Sequence, residues 1–209
     1  MSEKRIEHSI VPASVPEDTE DFVRLFIIAG PEFVPALYAG TQDRVVANCF
    51  RHRRNVASFE HTHLVKINGV NAGMVVAYDW IVNKSQGVKT GLLMARYMRS
   101  KLLKQMRYLK WAGEVLGSMD DGTFYIASLA FYPEFRNQGL GTNLMSFTEE
   151  AAIRAGAVKL ELDAETYNEG AIRFYQRFGM KTVGEPRGTV INGQRFEFIR
   201  LSKDIPGGD

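Results

Sequence analysis

The sequence predicts an α/β fold with a mixed sheet, formed as a single domain over residues 1–209. Three observations carry that reading. Residues 123 to 163 run strand, glycine-rich turn, helix, strand. That βαβ order needs parallel strands and a right-handed crossover. Asn68-Gly69 and Asn192-Gly193 each separate two strand-like runs, the strongest short hairpin signal, so other strands pair antiparallel. The composition, 45% hydrophobic and 24% charged, is that of a globular protein with room for one full-sized core.

The elements follow in order. Ile6, Ser9, Ile10 and Val11 suggest a short strand that Pro12 ends. Pro16, Glu17 and Asp18 open a helix through Phe22, Leu25, Phe26 and Ala29, with Gly30-Pro31 as its stop. A second helical region runs from Phe33 to Arg54, with PALYAG as a break. Strands at 61–67 and 70–78 flank the first Asn-Gly turn, giving β-α-α-β-β. Residues 91–116 predict one long helix, because Met98, Leu102, Met106 and Leu109 recur on one face. Thr123 to Phe131 reads as a buried strand. A helix carrying Leu140, Leu144, Phe147 and Ala151 follows, with Gly156 past its end. Val158 to Asp163 alternates as another strand, a helix spans Asn168 to Phe178, and two strands close the chain.

Several functional classes lose support at once. A net charge of +2 gives no case for a nucleic-acid partner. One cysteine, Cys49, excludes an internal disulfide framework and fits a reducing compartment. The first residues carry charges but no apolar stretch of signal-peptide type, and no run reaches 18 apolar residues. The expectation is a cytoplasmic protein without membrane contact. His61 and His63 would share one face of a strand, but no third ligand is evident, so no metal site is expected.

The chemistry concentrates at FYPEFRNQGLGTNLM, residues 131–145. Two glycines at a helix start allow a tight turn and close approach of the backbone to a ligand. The exposed amides and dipole of the helix start suit a phosphate. A P-loop would need a Lys-Ser/Thr pair that is missing here, and a Rossmann fingerprint would need glycine where Leu144 stands. A third pattern fits: strand, Pro133, then Arg136-Asn137-Gln138-Gly139-Leu140-Gly141, then helix. It resembles the acetyl-CoA motif of the GNAT acetyltransferase superfamily. Asn168-Glu169-Gly170-Ala171-Ile172-Arg173-Phe174-Tyr175-Gln176-Arg177-Phe178-Gly179-Met180, one strand downstream, is similar to that family's second signature, with Met180 in place of an aromatic.

The resemblance covers residues 123–183 and implies a mostly antiparallel sheet splayed between its fourth and fifth strands. It further implies N-acetyl transfer from acetyl-CoA to an amine in a ternary complex, without covalent intermediate. Backbone from Arg136 through Asn137, Gln138, Gly139, Leu140 and Gly141 to Thr142 would hold the diphosphate. Leu129, Ala130 and Phe131 would pair with the pantetheine arm, Asn168 and Ala171 would line it, and Tyr175 would be the acid at the sulfur. Without ligand, Tyr175 would read as a half-buried aromatic whose hydroxyl finds a backbone partner. Asn168 would cap its helix in either case.

A base for the amine is not singled out among Glu60, His61, His63, Asp79, Glu134 and Asp163. Between Asp79 and Glu114 stand eight Lys or Arg residues and no acid. The family joins these strands tightly, so a basic helical insertion over about 84–118 is expected, either a solvated amphipathic face or a wall of the acceptor pocket. Two other functions fit the same residues: an acyl-CoA sensor without turnover, and an interaction domain using the basic helix. The acceptor, small molecule or protein, is not readable. A homodimer through strand exchange or the terminal strands is compatible with the sequence but not fixed by it.

Overall fold

The computed structural model describes residues 7–206, so the expected strand residue Ile6 lies outside the described residues. Seven strands form one open sheet: β1 (Ser9–Pro12), β2 (Thr62–Ile67), β3 (Val70–Asp79), β4 (Thr123–Phe131), β5 (Lys159–Glu165), β6 (Lys181–Ile191) and β7 (Gln194–Asp204). Their order is β1-β2-β3-β4-β5-β7-β6. All neighbours are antiparallel except β4 and β5. Both Asn-Gly pairs turn as expected, with φ of 50° and 81° at Asn68 and Gly69, and 51° and 86° at Asn192 and Gly193. That double positive φ is the turn whose twist matches antiparallel strands.

The helices are α1 (Thr19–Ala29), α2 (Phe33–Tyr38), α3 (Gln42–Arg51), α4 (Trp80–Met98), α5 (Leu102–Val115), α6 (Leu140–Arg154) and α7 (Glu169–Arg177). Leu64, Met74, Val76 and Ala130 face a core built with α1 to α5, whereas Val65, Val75, Leu160 and Leu162 face α6 and α7. Alternation along each strand divides residues between the two cores. After α6, Gly156 N–H donates to Ile153 O and Ala157 N–H to Ala152 O, the paired bonds of a left-handed helix stop.

The Phe33 region breaks into two helices at PALYAG as expected, where Ala39 and Gly40 both take positive φ, but another segment departs from the sequence reading. The expected 91–116 helix begins at Trp80, where the Asp79 carboxylate caps it by accepting from Val82 N–H at 2.8 Å. It then breaks: Arg99 has φ 52°, and a single 3₁₀ turn separates α4 from α5. The insertion is therefore a helical pair. Of the predicted stripe, Met98 is fully buried while Met106 is 50% exposed. Leu102 and Leu109 stay half-buried against the core, so of the stripe only Met106 turns outward.

Candidate active site

β4 and β5 pair only from Thr123 with Lys159 to Ile126 with Leu162. Past that point each strand stays bonded to its other neighbour, β4 to β3 and β5 to β7. The facing edges part and open a cleft of about 1690 Å³. That exceeds the roughly 300–1,000 Å³ of a single-ligand pocket. The register of β3 against β4 shifts at Val76/Ala77 and skips Ala127. Among the described residues, Ala127 thus has no ladder partner on either side, and it is exposed to the cleft. A bulge of this kind re-aims backbone at a site.

The glycine turn lies at one end of this cleft. Asn137 and Gly139 take φ of 60° and 77°, which concentrates amides into a concave anion nest. Arg136 N–H bonds Pro133 O, and the amides of Thr142 and Asn143 bond Gly139 O. The amides of 137–141 between them form the unpaired start of α6. Gly139 is required by its left-handed backbone, with open space where a side chain would stand. Gly141 is required by packing: a Cβ there would lie 3.1 Å from the Phe174 ring. The Arg136 guanidinium donates through Nε to Phe131 O at 3.1 Å, which anchors the turn to the end of β4.

Leu129, Ala130, Phe131, Arg136, Asn137, Gly139, Gly141, Thr142, Asn168, Ala171 and Tyr175 all line this one cleft. Gln138 and Leu140 do not; the Gln138 amide group donates to Glu134 O, and Leu140 is buried in the α6–α7 core. Only their backbone faces the nest. Asn168 Oδ1 accepts from Ala171 N–H at 3.1 Å and caps α7. Tyr175 is 8% exposed, and burial pushes its phenol up to about 12. Among the described residues its hydroxyl has no hydrogen-bond partner, contrary to what a purely structural tyrosine would show.

The base candidates are scattered. Asp163 accepts from Arg200 Nε and NH2 (3.0 and 2.7 Å), Tyr125 OH (2.9 Å), Arg187 (3.3 Å) and Gly117 N–H (3.3 Å). So saturated a carboxylate ties the strands together. Asp79 is a helix cap. Glu60 is held by Arg53 and the Arg54 amide. His61 and His63 do not share a face. His61 sits in a 3₁₀ turn bonded to Gln86, whereas His63 packs on Phe147 of α6. Glu134 is exposed in the turn after β4 and lines no part of the cleft.

Two polar residues that the sequence reading passed over are buried in the cleft instead. Glu165 Oε2 and Ser128 Oγ have no partner, and the residues are 8% and 7% exposed. Burial and the neighbouring Glu32 charge raise the Glu165 carboxyl above the usual carboxylate range, against a lowering by Tyr167. Extending the β5 alternation two residues past Asp163 would have placed Glu165 on the same face. Among the described residues, no group of three or more His, Cys, Asp or Glu could hold a metal ion, and no helix is long and apolar enough to cross a membrane.

Comparison with known proteins places this geometry. N-alpha-acetyltransferase 30 of Schizosaccharomyces pombe is 40% identical over 55 residues, 26% of this chain. The chain spans only 37% of that relative's length. An N-acetyltransferase structure from Staphylococcus aureus Mu50 superposes with TM-score 0.62 at 19% identity, covering 93% of this chain and all of the other. A GNAT family acetyltransferase from Elizabethkingia anophelis with acetyl-CoA bound gives 0.51 at 17% identity, covering 94% and 97%. These two show the fold. The acetyltransferase (GNAT) family profile matches residues 24–180, which takes in the second half of α1, α2 through α7 and both strand edges of the cleft, and the chain therefore belongs to that family of acetyltransferases.

Proposed function

We propose that the protein carries the acetyl group of acetyl-CoA directly to a primary amine, with both substrates held in the cleft together. The parting of β4 and β5 after Ile126 and Leu162 carries this reading, because it exposes two unpaired strand edges between the amide nest and Tyr175. The nest at 137–141 and the start of α6 suit a diphosphate. The free edge at Leu129–Phe131 suits the amides of the pantetheine arm, which would otherwise need water. The unpaired backbone at Ala127 is the group available to an oxyanion developing at the parting.

The amine attacks in neutral form. The C–N bond forms, the C–S bond breaks with its electron pair on sulfur, and the surplus nitrogen proton ends on that sulfur. A phenol near 12 is a weaker acid than a thiol of about 8.5. Tyr175 therefore assists by donating a hydrogen bond to the departing sulfur and keeps its own proton. Cys49 supports direct transfer: it is 1% exposed, lies outside the cleft, and burial raises its thiol to about 12.

The test is free-thiol release from acetyl-CoA with a set of primary amines, a peptide with a free N-terminus among them. Tyr175→Phe should lower kcat about 100-fold while acetyl-CoA still raises the melting temperature. Lines that intersect in initial-rate plots support a ternary complex; parallel lines, or no stabilisation by acetyl-CoA, sink the reading.

A further inference from the structure

The sheet has two faces, and the proposed cofactor groups account for one of them. On the other, Glu165 of β5 and Ser128 of β4 each present an orphaned polar atom to the cleft from the two strands that part. Asp163 and Glu165 alternate with Leu162 and Ala164, which pack toward α6 and α7, so Glu165 faces away from Tyr175's core. Its Oε1 lies 3.5 Å from a Cβ built at Gly30, at the end of α1, and nothing cationic pairs with it. A buried carboxylate without a cation is costly unless a ligand supplies one.

The same cleft continues under α4 and α5. Val88, Met94, Leu102, Met106 and Leu109 line it from the insertion, and Ile28 lines it from α1. Trp111 of α5 packs 6.2 Å from Phe198, the cross-strand partner of Glu165, so this apolar wall stands next to the acid. Before Glu114 the insertion carries eight cations and no carboxylate, and two of the cations, Lys84 and Lys110, line this cleft. A polycation would meet repulsion there; an apolar body would not.

We propose that Glu165 and Ser128 form the amine subsite and that the chamber walled by α4 and α5 takes an apolar body, so the acceptor is a primary amine on a bulky hydrophobic group. This rests on the acetyl-transfer reading and specifies its second substrate. Glu165 takes one proton from the bound ammonium and later passes it to solvent; Ser128 accepts a hydrogen bond from the same nitrogen. The neutral amine is then free to attack as described. The raised proton affinity of Glu165 suits it to accept that proton.

Four probes test this with the full chain and acetyl-CoA, read as thiol release: n-hexylamine and 2-phenylethylamine against ethanolamine and spermidine. The two apolar amines should exceed the polar ones at least tenfold in kcat/KM, each buried methylene contributing up to about fourfold. Glu165→Gln should cut kcat/KM for hexylamine about 100-fold and leave the KM for acetyl-CoA within about threefold. Met106→Glu, at a half-exposed position that does not challenge folding, should raise KM for hexylamine more than for ethanolamine. Equal use of ethanolamine or spermidine, or wild-type rates in Glu165→Gln, overturns the subsite while acetyl transfer stands. Failure of every amine overturns the transfer reading itself.

Discussion

The two halves of the cleft are built from different materials. On the proposed cofactor side, the groups lining the cleft are backbone: amides 137–141, the free edge of β4 and the unpaired Ala127. Positive φ at Asn137 and Gly139 and the close approach of Gly141 to Phe174 fix their geometry. On the proposed acceptor side, the groups are side chains from elements far apart in sequence: Ser128, Glu165, Ile28 and Met106. Backbone sites depend on local conformation and tolerate change in most side chains. Side-chain sites are specific to the chain that carries them. On the proposed reading, the backbone half holds the cofactor and the side-chain half selects the acceptor.

Substitutions can break or sharpen that contrast. The largest effect is expected where both halves are stapled together. Asp163→Ala leaves Arg200, 13% exposed in its side chain, without its bidentate partner, a loss of about 3–5 kcal/mol for a broken buried pair. Chemical denaturation measures it, and a change below 1 kcal/mol would mean Asp163 is free for another role. Next comes Tyr175→Phe, whose 100-fold loss in kcat should come with unchanged acetyl-CoA stabilisation. The phenol also makes a pH prediction. Its folded value of about 12 lies above the ordinary 10, so its contribution to stability is fully present below pH 10 and is lost as pH rises through 12. Over that window the wild type should lose up to about 3 kcal/mol more than Tyr175→Phe, measured by alkaline unfolding.

Gly139→Ala comes third. Left-handed backbone should cost about 1–2 kcal/mol with little steric loss, since nothing stands within 4 Å of the added methyl. Calorimetry with coenzyme A should show weaker binding than wild type, and an unchanged Kd would place the diphosphate elsewhere. Asn168→Ala removes the α7 cap and should cost about 1 kcal/mol. Smallest of all, Lys84→Ala breaks an exposed ion pair with Asp121 and should change stability by under about 0.5 kcal/mol. A larger loss there would make the α4–α5 insertion electrostatically braced.

Legibility in the sequence followed the same division. The β4 limits, both Asn-Gly turns, the glycine turn and the α7 cap were readable, because each depends on neighbours within a few residues. The α4–α5 break at Arg99 was hidden because no Gly or Pro marks it and the apolar period runs through. Asp163 and Glu165 show the limit most clearly. They stand two residues apart on one strand, as alike as two acids can be, yet one is saturated by five donors and the other has Tyr167 beside it and one oxygen without a partner. Arg200, Arg187 and Gly117 come to Asp163 from distant segments.

By itself the sequence determined where the chain turns, which helix start gathers free amides, and that a phenol follows seven residues after an asparagine cap. Only the tertiary structure decided where β4 and β5 part, which acid is left without a cation, and what wall the insertion presents to the cleft. Local features follow from φ, ψ and side-chain spacing along one element. The others depend on which donors distant segments deliver to the same buried point, and spacing along the chain does not encode that.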